Sequence, residues 1–211
     1  MIPSVWQRPK PAAGRPVTVL FDLDDTLFAH RRAVAIGITA YRTGAGGAGI
    51  VRGDDVVRGD AADSWFDGYR EEYEAAWMLH DDAVSCLTGL RAHGAQLGII
   101  TNGELAFQRE KIERVGLALL IDDVVASGEL GIAKPDRRIF EHACARFEVT
   151  TSDAIYVGDR LQTDAIGAAH AGLQGVWLNR SGCAIAAEEA AAAASGVWII
   201  RSLDELIFLI S

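Results

Sequence analysis

Three carboxylates crowd into the stretch FDLDDTL, at Asp22, Asp24 and Asp25. Carboxylates this close repel one another unless a cation or hydrogen bonds compensate their charge. In an extended segment Asp22 and Asp24 would share a face, because side chains alternate along a strand. Such oxygen ligands suit Mg²⁺, which often takes one or two carboxylates together with a substrate phosphate. A solvated acidic loop or a helix cap is the alternative interpretation of this stretch on its own.

Further polar groups come later in the chain, namely Thr101-Asn102, Lys134-Pro135, Gly158-Asp159 and then Asp164. A carboxylate nucleophile, a hydroxyl, an ammonium and metal-binding carboxylates are the groups that phosphoryl transfer requires. Each group has an alternative interpretation, as a turn with a helix cap, a solvated lysine or a capping aspartate. The first three groups each follow a predicted strand, in chain order, and Asp164 stands at the start of a predicted helix. This order favours a phosphoryl-transfer site.

The elements that must position these groups alternate between short apolar runs and amphipathic segments. Near-continuous apolar strands of this kind indicate a parallel sheet covered on both faces, in which ligands bind beyond the carboxyl ends of the strands. We therefore predict an α/β fold with a Rossmann-like, doubly wound parallel sheet. The predicted strands are Val17–Phe21, Gln96–Ile100, Val124–Ser127, Ala154–Val157, Val176–Leu178 and Val197–Ile200, and the predicted helices between them include Ala83–His93, Glu104–Val115, Asp136–Phe147 and Thr163–Ala171.

Residues 29–81 interrupt this alternation after the first strand. Ala29–Thr43 and Asp60–His80 have helical patterns, and a glycine-rich loop from Gly44 to Gly59 joins them. We predict a small helical cap here that covers the site and moves on binding. The remaining organisation is an extended, proline-rich arm over 1–16 and a core domain over 17–28 and 82–211.

Four aromatic residues of the cap recur four positions apart, which places Trp65, Tyr69, Tyr73 and Trp77 on one face of a helix. We interpret this stripe as packing surface, with the lining of a substrate pocket as the alternative. The segment His30-Arg31-Arg32, where the chain enters the cap, is interpreted as a solvated linker, with an arginine that reaches a substrate anion as the alternative.

Composition excludes several classes of partner. The 211 residues carry a net charge of −9 and no dense run of Lys or Arg, so we expect no nucleic-acid partner. No apolar run approaches the roughly 20 residues of a spanning helix, and no signal peptide is recognisable, so we expect a cytoplasmic protein without a membrane partner. The three cysteines are few, odd in number and far apart, which suits a reducing compartment.

The motifs DLDDT, TN, KP and GDxxxxD resemble the four motifs of the haloacid dehalogenase (HAD) superfamily of phosphohydrolases. The resemblance covers the chain from Val17 to about Arg201 and is strongest from Ile100 to Arg180. In that part the sequence is similar to those of the subgroup that contains pyrimidine nucleotidases and N-acylneuraminate-9-phosphatase. The resemblance implies a phosphatase that hydrolyses a small phosphorylated metabolite of the sugar-phosphate or nucleotide type.

The resemblance also implies roles for individual residues. Asp22 would attack phosphorus and become an aspartyl phosphate, and Asp24 would protonate the leaving alcohol and then activate water. Thr101, Asn102 and Lys134 would bind the substrate, with Thr101 and Lys134 on the phosphoryl oxygens.

A Mg²⁺ cofactor is part of the same expectation. Asp22, the main-chain carbonyl of Asp24, and Asp159 would bind the ion, while Asp164 would support that site or orient Lys134. Asp25 stands where many relatives have glycine, and we expect a structural role for it.

Three alternatives stay open beside the phosphatase. A phosphomutase of the same superfamily would return the phosphoryl group to the substrate. A signalling receiver domain also uses Mg²⁺ and a phosphoacceptor aspartate, but its acceptor follows a middle strand and it lacks the 53-residue insertion. A catalytically dead scaffold is the third. The physiological substrate and the choice between monomer and homodimer are not predicted.

Overall fold

The structure is a computed structural model that describes residues 17–43 and 60–210. The predicted arm over 1–16 and the whole of the predicted glycine-rich loop over 44–59 lie outside the described residues. The chain divides into a helical unit, Ala29–Met78, and a core unit formed by the residues before and after it. Leu79 pairs with Phe28 inside the core unit. The core unit therefore resumes at residue 79, three positions before the predicted boundary.

Six parallel strands form the sheet of the core unit, in the order β3-β2-β1-β4-β5-β6. This order is that of a doubly wound Rossmann-type sheet, so the predicted fold class is confirmed. All four residues of β1 are buried, because helices cover both faces of the sheet at its centre. The strands are β1 (Thr18–Phe21), β2 (Gln96–Thr101), β3 (Asp123–Ala126), β4 (Ala154–Gly158), β5 (Gln174–Leu178) and β6 (Trp198–Ile200).

The helices of the core unit alternate with the strands along the chain, and several of them bury apolar residues. Phe140, for example, packs edge to face on Tyr156 of β4, with ring centroids 5.1 Å apart, inside a cluster that also contains Leu20 and Ile100. The helices are α3 (Ala83–Ala92), α4 (Leu105–Arg114), α5 (Ser127–Leu130), α6 (Arg137–Arg146), α7 (Gly167–His170), α8 (Ala186–Ala194) and α9 (Asp204–Ile210), with a π-helix over Leu161–Ile166 immediately before α7.

The register of the central strands determines which polar groups meet. Phe21, at the end of β1, pairs with Ile99 of β2 on one side and with Val157 of β4 on the other. The residues that follow these three positions therefore reach the same edge of the sheet. In doubly wound sheets this edge, where the strand order reverses, is where ligands bind.

The helical unit contains α1 (His30–Thr43) and α2 (Asp60–Ala75). Tyr73 of α2 is buried, its ring stacks on Tyr69 at 6.0 Å, and its hydroxyl lies 3.2 Å from Nδ1 of His30. A Cβ added at Gly37 of α1 would lie 2.8 Å from the Tyr73 Cα, so the two helices pack closely. These contacts support the packing interpretation for Tyr73. The side chain of Trp65 lies outside the described residues.

None of the helices in the described ranges combines the length and the apolar character needed to span a bilayer. Cys86 and Cys144 are buried and Cys183 is exposed, and all three are free thiols.

Candidate active site

Asp22 follows β1 at the edge of the sheet where β1, β2 and β4 end. Its main-chain N–H donates to the Val157 carbonyl at 2.8 Å, which continues the pairing with β4 by one residue. Its side chain is buried, with Oδ1 accepting a hydrogen bond from the Lys134 ammonium at 2.6 Å. The Thr26 hydroxyl lies 3.4 Å from Oδ2. The predicted nucleophile is therefore held through its main chain by β4 and through its side chain by Lys134.

Lys134 is buried and its ammonium contacts three acceptors. Nζ donates to Asp22 Oδ1 at 2.6 Å, to Asp164 Oδ1 at 2.8 Å and to the Tyr156 hydroxyl at 2.6 Å. The Tyr156 hydroxyl in turn donates to the Ile100 carbonyl at 2.9 Å, which leaves its oxygen to accept from Lys134. An ammonium has three hydrogens, so all of them are satisfied and its position is fixed.

Thr101 and Asn102 lie at the end of β2, as predicted, but their side chains have different hydrogen-bond partners. Asn102 makes a reciprocal pair with the main chain of Lys134: its Nδ2 donates to the Lys134 carbonyl at 3.1 Å and its Oδ1 accepts from the Lys134 N–H at 2.9 Å. Thr101 is buried, and its hydroxyl accepts from Gln108 Nε2 at 2.8 Å. In this geometry Asn102 connects the β2 loop to the lysine loop.

Three carboxylates converge at the same place. Asp22, Asp159 and Asp164 each offer an oxygen, and these oxygens lie within 4.8 Å of one another. The Asp159 N–H donates to Thr26 Oγ1 at 3.0 Å, which ties the end of β4 to the loop after β1. Asp164, in the π-helix, accepts from the Arg160 N–H at 3.0 Å as well as from Lys134. π-Helical turns occur frequently at functional sites.

The charge of this cluster fits a divalent cation. Three carboxylates and the one ammonium in contact with two of them sum to a formal charge of −2 when all are ionised. Burial raises the pKa of Asp22 to about 7, although the Lys134 ammonium acts to lower it. Desolvation disfavours the charged form of Lys134, but the carboxylates of Asp22 and Asp164 outweigh it and raise the lysine's pKa. The cluster therefore carries more negative charge than Lys134 neutralises. Its carboxylate oxygens are hard ligands of the kind that a divalent metal prefers.

Asp24, two residues after Asp22, is held by α4 instead of by the acidic cluster. Its Oδ1 accepts from Lys111 Nζ at 2.8 Å, and its Oδ2 lies 3.4 Å from Gln108 Nε2. The side chain of Asp24 stays 29% exposed, so one side of this carboxylate faces outward. The Asp24 carboxylate is also close enough to that of Asp22 to contribute to raising its pKa, so the structure brings the predicted acid/base next to the predicted nucleophile.

Asp25 has a positive φ of 62°, and its N–H donates to the Phe28 carbonyl at 2.6 Å. The left-handed region favours glycine, and aspartate is one of the few other residues that tolerate it. This conformation lets the loop turn back so that the Phe28 N–H reaches the Leu23 carbonyl at 2.9 Å. The expected structural role of Asp25 agrees with this turn.

Sequence reasoning missed four residues of this site: Thr26, Gln108, Lys111 and Tyr156. Tyr156 stands two residues before the GD motif, on the alternating pattern of a strand, and that spacing was an available signal. Glu104, the residue before α4, is exposed and lies against Gly128. Gln108 and Lys111, spaced three apart, are the buried polar residues of that helix.

The chain matches the family model of the haloacid dehalogenase-like hydrolases over residues 17–172. Among curated proteins it is 42% identical over 104 residues to phosphoserine phosphatase of Thermus thermophilus, covering 49% of this chain and 42% of that protein. It is 38% identical over 125 residues to pyrimidine 5'-nucleotidase YjjG of Escherichia coli, covering 59% and 53%. It is 42% identical over 106 residues to N-acylneuraminate-9-phosphatase of Mus musculus, covering 50% and 42%.

The chain thus spans about half the length of the curated relatives that it matches. Among solved structures, the putative HAD-hydrolase YfnB of Bacillus subtilis, crystallised with magnesium, superposes with a TM-score of 0.74 at 22% identity and covers 94% of this chain and 100% of that one. That likeness concerns the fold. The family that the four motifs indicated is confirmed, and so is the similarity to the pyrimidine nucleotidases and N-acylneuraminate-9-phosphatase.

Proposed function

The chain belongs to the haloacid dehalogenase-like hydrolases, and from this membership we propose that it is a Mg²⁺-dependent phosphatase that hydrolyses a small phosphomonoester through an aspartyl phosphate on Asp22. The observation that carries the proposal is the position of the Asp22 carboxylate. It lies at the ligand-binding edge of the sheet, 2.6 Å from the Lys134 ammonium and within 4.8 Å of two further carboxylates. The phosphatase names of the curated relatives support the same reaction class.

We assign the metal ion to the acidic cluster. Asp22 and Asp159 would be its carboxylate ligands, together with the main-chain carbonyl of Asp24, and Asp164 would stay with Lys134 or support the ion. A bound Mg²⁺ supplies positive charge to the phosphoryl oxygens and offsets the excess of carboxylates. The formal charge of −2 in the cluster supports a divalent ion.

In the first half-reaction a carboxylate oxygen of Asp22 forms a bond to phosphorus while the bond between phosphorus and the leaving oxygen breaks. Asp24 donates a proton to that leaving oxygen, so the alcohol departs neutral. The Thr101 hydroxyl and the Lys134 ammonium bind the phosphoryl oxygens, over which the negative charge of the transferred group is spread. A phosphoryl oxygen then takes the place of one of the three present acceptors of Lys134. The product at this stage is a mixed anhydride on Asp22.

In the second half-reaction Asp24, now a carboxylate, takes a proton from water. The water oxygen forms a bond to phosphorus, the bond between phosphorus and the Asp22 oxygen breaks, and the Asp22 carboxylate is regenerated with inorganic phosphate. The same residue thus acts as acid and then as base. A second carboxylate at Asp24 supports a phosphatase over the dehalogenase branch, where this acid/base is absent.

A phosphate-release assay tests the proposal. The purified full chain is incubated with Mg²⁺ and a panel that includes phosphoserine, pyrimidine nucleoside monophosphates, sugar phosphates and an aryl phosphate. Release of inorganic phosphate above that of an Asp22→Asn variant supports the proposal. Isomerisation of a sugar phosphate without phosphate release would indicate a mutase, and a stable phosphoenzyme without turnover would indicate a receiver-like protein.

A further inference from the structure

Helix α4 (Leu105–Arg114) buries two polar side chains that the phosphatase mechanism above does not use. Gln108 and Lys111 are each 2% exposed. Burial of a charged ammonium is costly unless it is paired and hydrogen-bonded. Residues three apart on a helix share a face, so both side chains point the same way. Both side chains contact the loop after β1, and Gln108 also contacts the end of β2.

Lys111 is confined by two aromatic rings and a carboxylate. Its Nζ lies 5.0 Å from the ring centroid of Phe28 and 4.9 Å from that of Phe107, and it donates to Asp24 Oδ1 at 2.8 Å. Ammonium groups are attracted to the faces of aromatic rings. The two rings therefore hold the ammonium at one position, and the ammonium in turn holds one oxygen of Asp24.

Gln108 links Asp24 to Thr101. Its Nε2 lies 2.8 Å from Thr101 Oγ1, 3.2 Å from the Asn102 carbonyl and 3.4 Å from Asp24 Oδ2. The carbonyl and the carboxylate only accept hydrogen bonds, so the NH₂ end of the amide must face them. A threonine hydroxyl has a single hydrogen. Because Gln108 donates to Oγ1, that hydrogen is left to donate elsewhere.

We propose that Lys111 and Gln108 are positioning residues of the reaction, an inference that rests on the proposed phosphatase function. Lys111 fixes the carboxylate of Asp24 at the place from which it serves the leaving oxygen. Gln108 directs the Thr101 hydroxyl hydrogen toward the phosphoryl group, and its amide nitrogen also lies beside the second oxygen of the Asp24 carboxylate. A catalytic group misplaced by 1 Å can cost about 10²-fold in rate, so loss of either contact acts on turnover.

The test for Lys111 compares two leaving groups. Lys111→Met keeps an unbranched side chain between the rings and removes the ammonium. Glycerol 3-phosphate needs a proton on its leaving oxygen, whereas 2,4-dinitrophenyl phosphate does not. We expect kcat for glycerol 3-phosphate to fall about 10²-fold with KM within about threefold, the size of effect typical of acid/base catalysis. The first-turnover burst of dinitrophenolate should stay within about threefold of wild type, and Lys111→Arg should recover part of the loss.

The control is Arg114→Met, which removes an exposed cation from the same helix and should leave both rates unchanged. Thermal unfolding of each variant verifies that it is folded. An equal loss in Lys111→Met on both substrates, or no loss, overturns the assignment of Lys111. A wild-type protein that hydrolyses neither these two substrates nor the wider panel contradicts the proposed function instead, so the two failures are distinguishable.

A double-mutant cycle tests Gln108. Gln108→Leu should lower kcat/KM about tenfold in the wild-type background, because the hydroxyl hydrogen of Thr101 is then free to turn away. In a Thr101→Val background, where no hydroxyl remains, most of that effect should vanish, since coupled residues are not additive. A full tenfold loss in both backgrounds would show that Gln108 does not act through Thr101.

Discussion

Lys134 Nζ lies 2.6 Å from Oδ1 of Asp22, although 112 positions separate the two residues in the chain. The same ammonium lies 2.8 Å from Asp164, so one cation bridges the carboxylates that follow β1 and β4. The contact is buried on both sides, with 2% of the lysine side chain and 9% of the aspartate side chain exposed. The negative charge of these two carboxylates is therefore partly compensated by an ammonium inside the protein and not by solvent.

Removal of Lys134 should be costly for stability as well as for activity. Lys134→Met leaves Asp22 and Asp164 buried without their cation, and breaking a buried ion pair in this way costs about 3–5 kcal/mol. Tyr156→Phe is the milder comparison, because it removes one neutral partner of the ammonium and should cost about 1 kcal/mol. Urea unfolding without metal measures both. A loss below about 1 kcal/mol in Lys134→Met would contradict a stabilising role for this buried ion pair.

Metal binding should depend on the acidic cluster. Asp159→Asn keeps the size of the side chain and removes a charged ligand, so we expect Mg²⁺ affinity to fall at least about tenfold, as perturbed metal sites commonly show. Asp204→Asn, on α9 and outside the cluster, is the matched control and should bind Mg²⁺ like wild type. Calorimetric titration with Mg²⁺ reads this out directly. Activity that survives exhaustive EDTA treatment would exclude a required metal.

The pH dependence of stability should include a contribution from His80. Its Nε2 is buried and has no hydrogen-bond partner among the described residues. Burial and then the charge of Arg180 lower the pKa of His80 below 6.5, against the opposing effect of Asp82, Asp25 and Asp81.

A lowered pKa makes the folded state bind the proton less readily than the unfolded chain does. The stability due to neutral His80 is therefore complete above about pH 6.5 and is lost as the pH falls through its folded pKa. His80→Gln should reduce the drop in melting temperature between pH 7.5 and 5, whereas His142→Gln, at an exposed position of α6, should not. Equal drops in wild type and His80→Gln would refute this contribution.

Gly158, the last residue of β4, should not tolerate a side chain. A Cβ added there would lie 2.4 Å from the Asp164 Cβ and 2.6 Å from its Oδ2. Gly158→Ala should therefore displace Asp164 from Lys134, lower activity at least about tenfold and cost about 1–3 kcal/mol through overpacking. Gly89→Ala is a useful comparison, because the added methyl meets only the end of the flexible Ile207 side chain. Activity and urea unfolding of both variants measure this difference. Gly158→Ala should lose more of both activity and stability than Gly89→Ala, and equal losses would contradict the prediction.

Sequence patterns predicted the strands well, because strands buried on both faces are continuous apolar runs. The predicted Gln96–Ile100 and Ala154–Val157 differ from β2 and β4 by a single residue at one end. The carboxylates of the site were found for the same reason, since each follows a strand or its loop. The π-helix was not predictable, because a helix pattern over 163–171 carries no signal for its wider turn. That turn is accompanied by a close approach, with the Ala165 carbonyl only 2.1 Å from where a Cβ would stand at Gly175.

The roles of Gln108 and Lys111 on α4 could not be predicted from the sequence either. Periodicity shows that Gln108 and Lys111 share a face, but a polar residue on an amphipathic helix is normally solvated. Only the position of α4 beside the loop after β1 places Lys111 against Asp24, 87 positions away. Which polar side chain meets a catalytic loop depends on packing between distant segments, and one sequence does not contain that information.

The most direct test of nucleophilic catalysis by Asp22 is covalent trapping of a phosphoryl group on that residue. Wild-type protein and Asp22→Asn are mixed with Mg²⁺ and a substrate whose phosphate is radiolabelled, quenched in acid within the first turnover, and mapped by mass spectrometry. We predict an acid-stable, hydroxylamine-sensitive phosphoryl group on Asp22 in the wild type. Asp22→Asn should show no label and a loss of turnover of at least about 10³-fold, typical of removing a nucleophile. Near-normal turnover in Asp22→Asn, or a phosphoryl group on another residue, would contradict the mechanism.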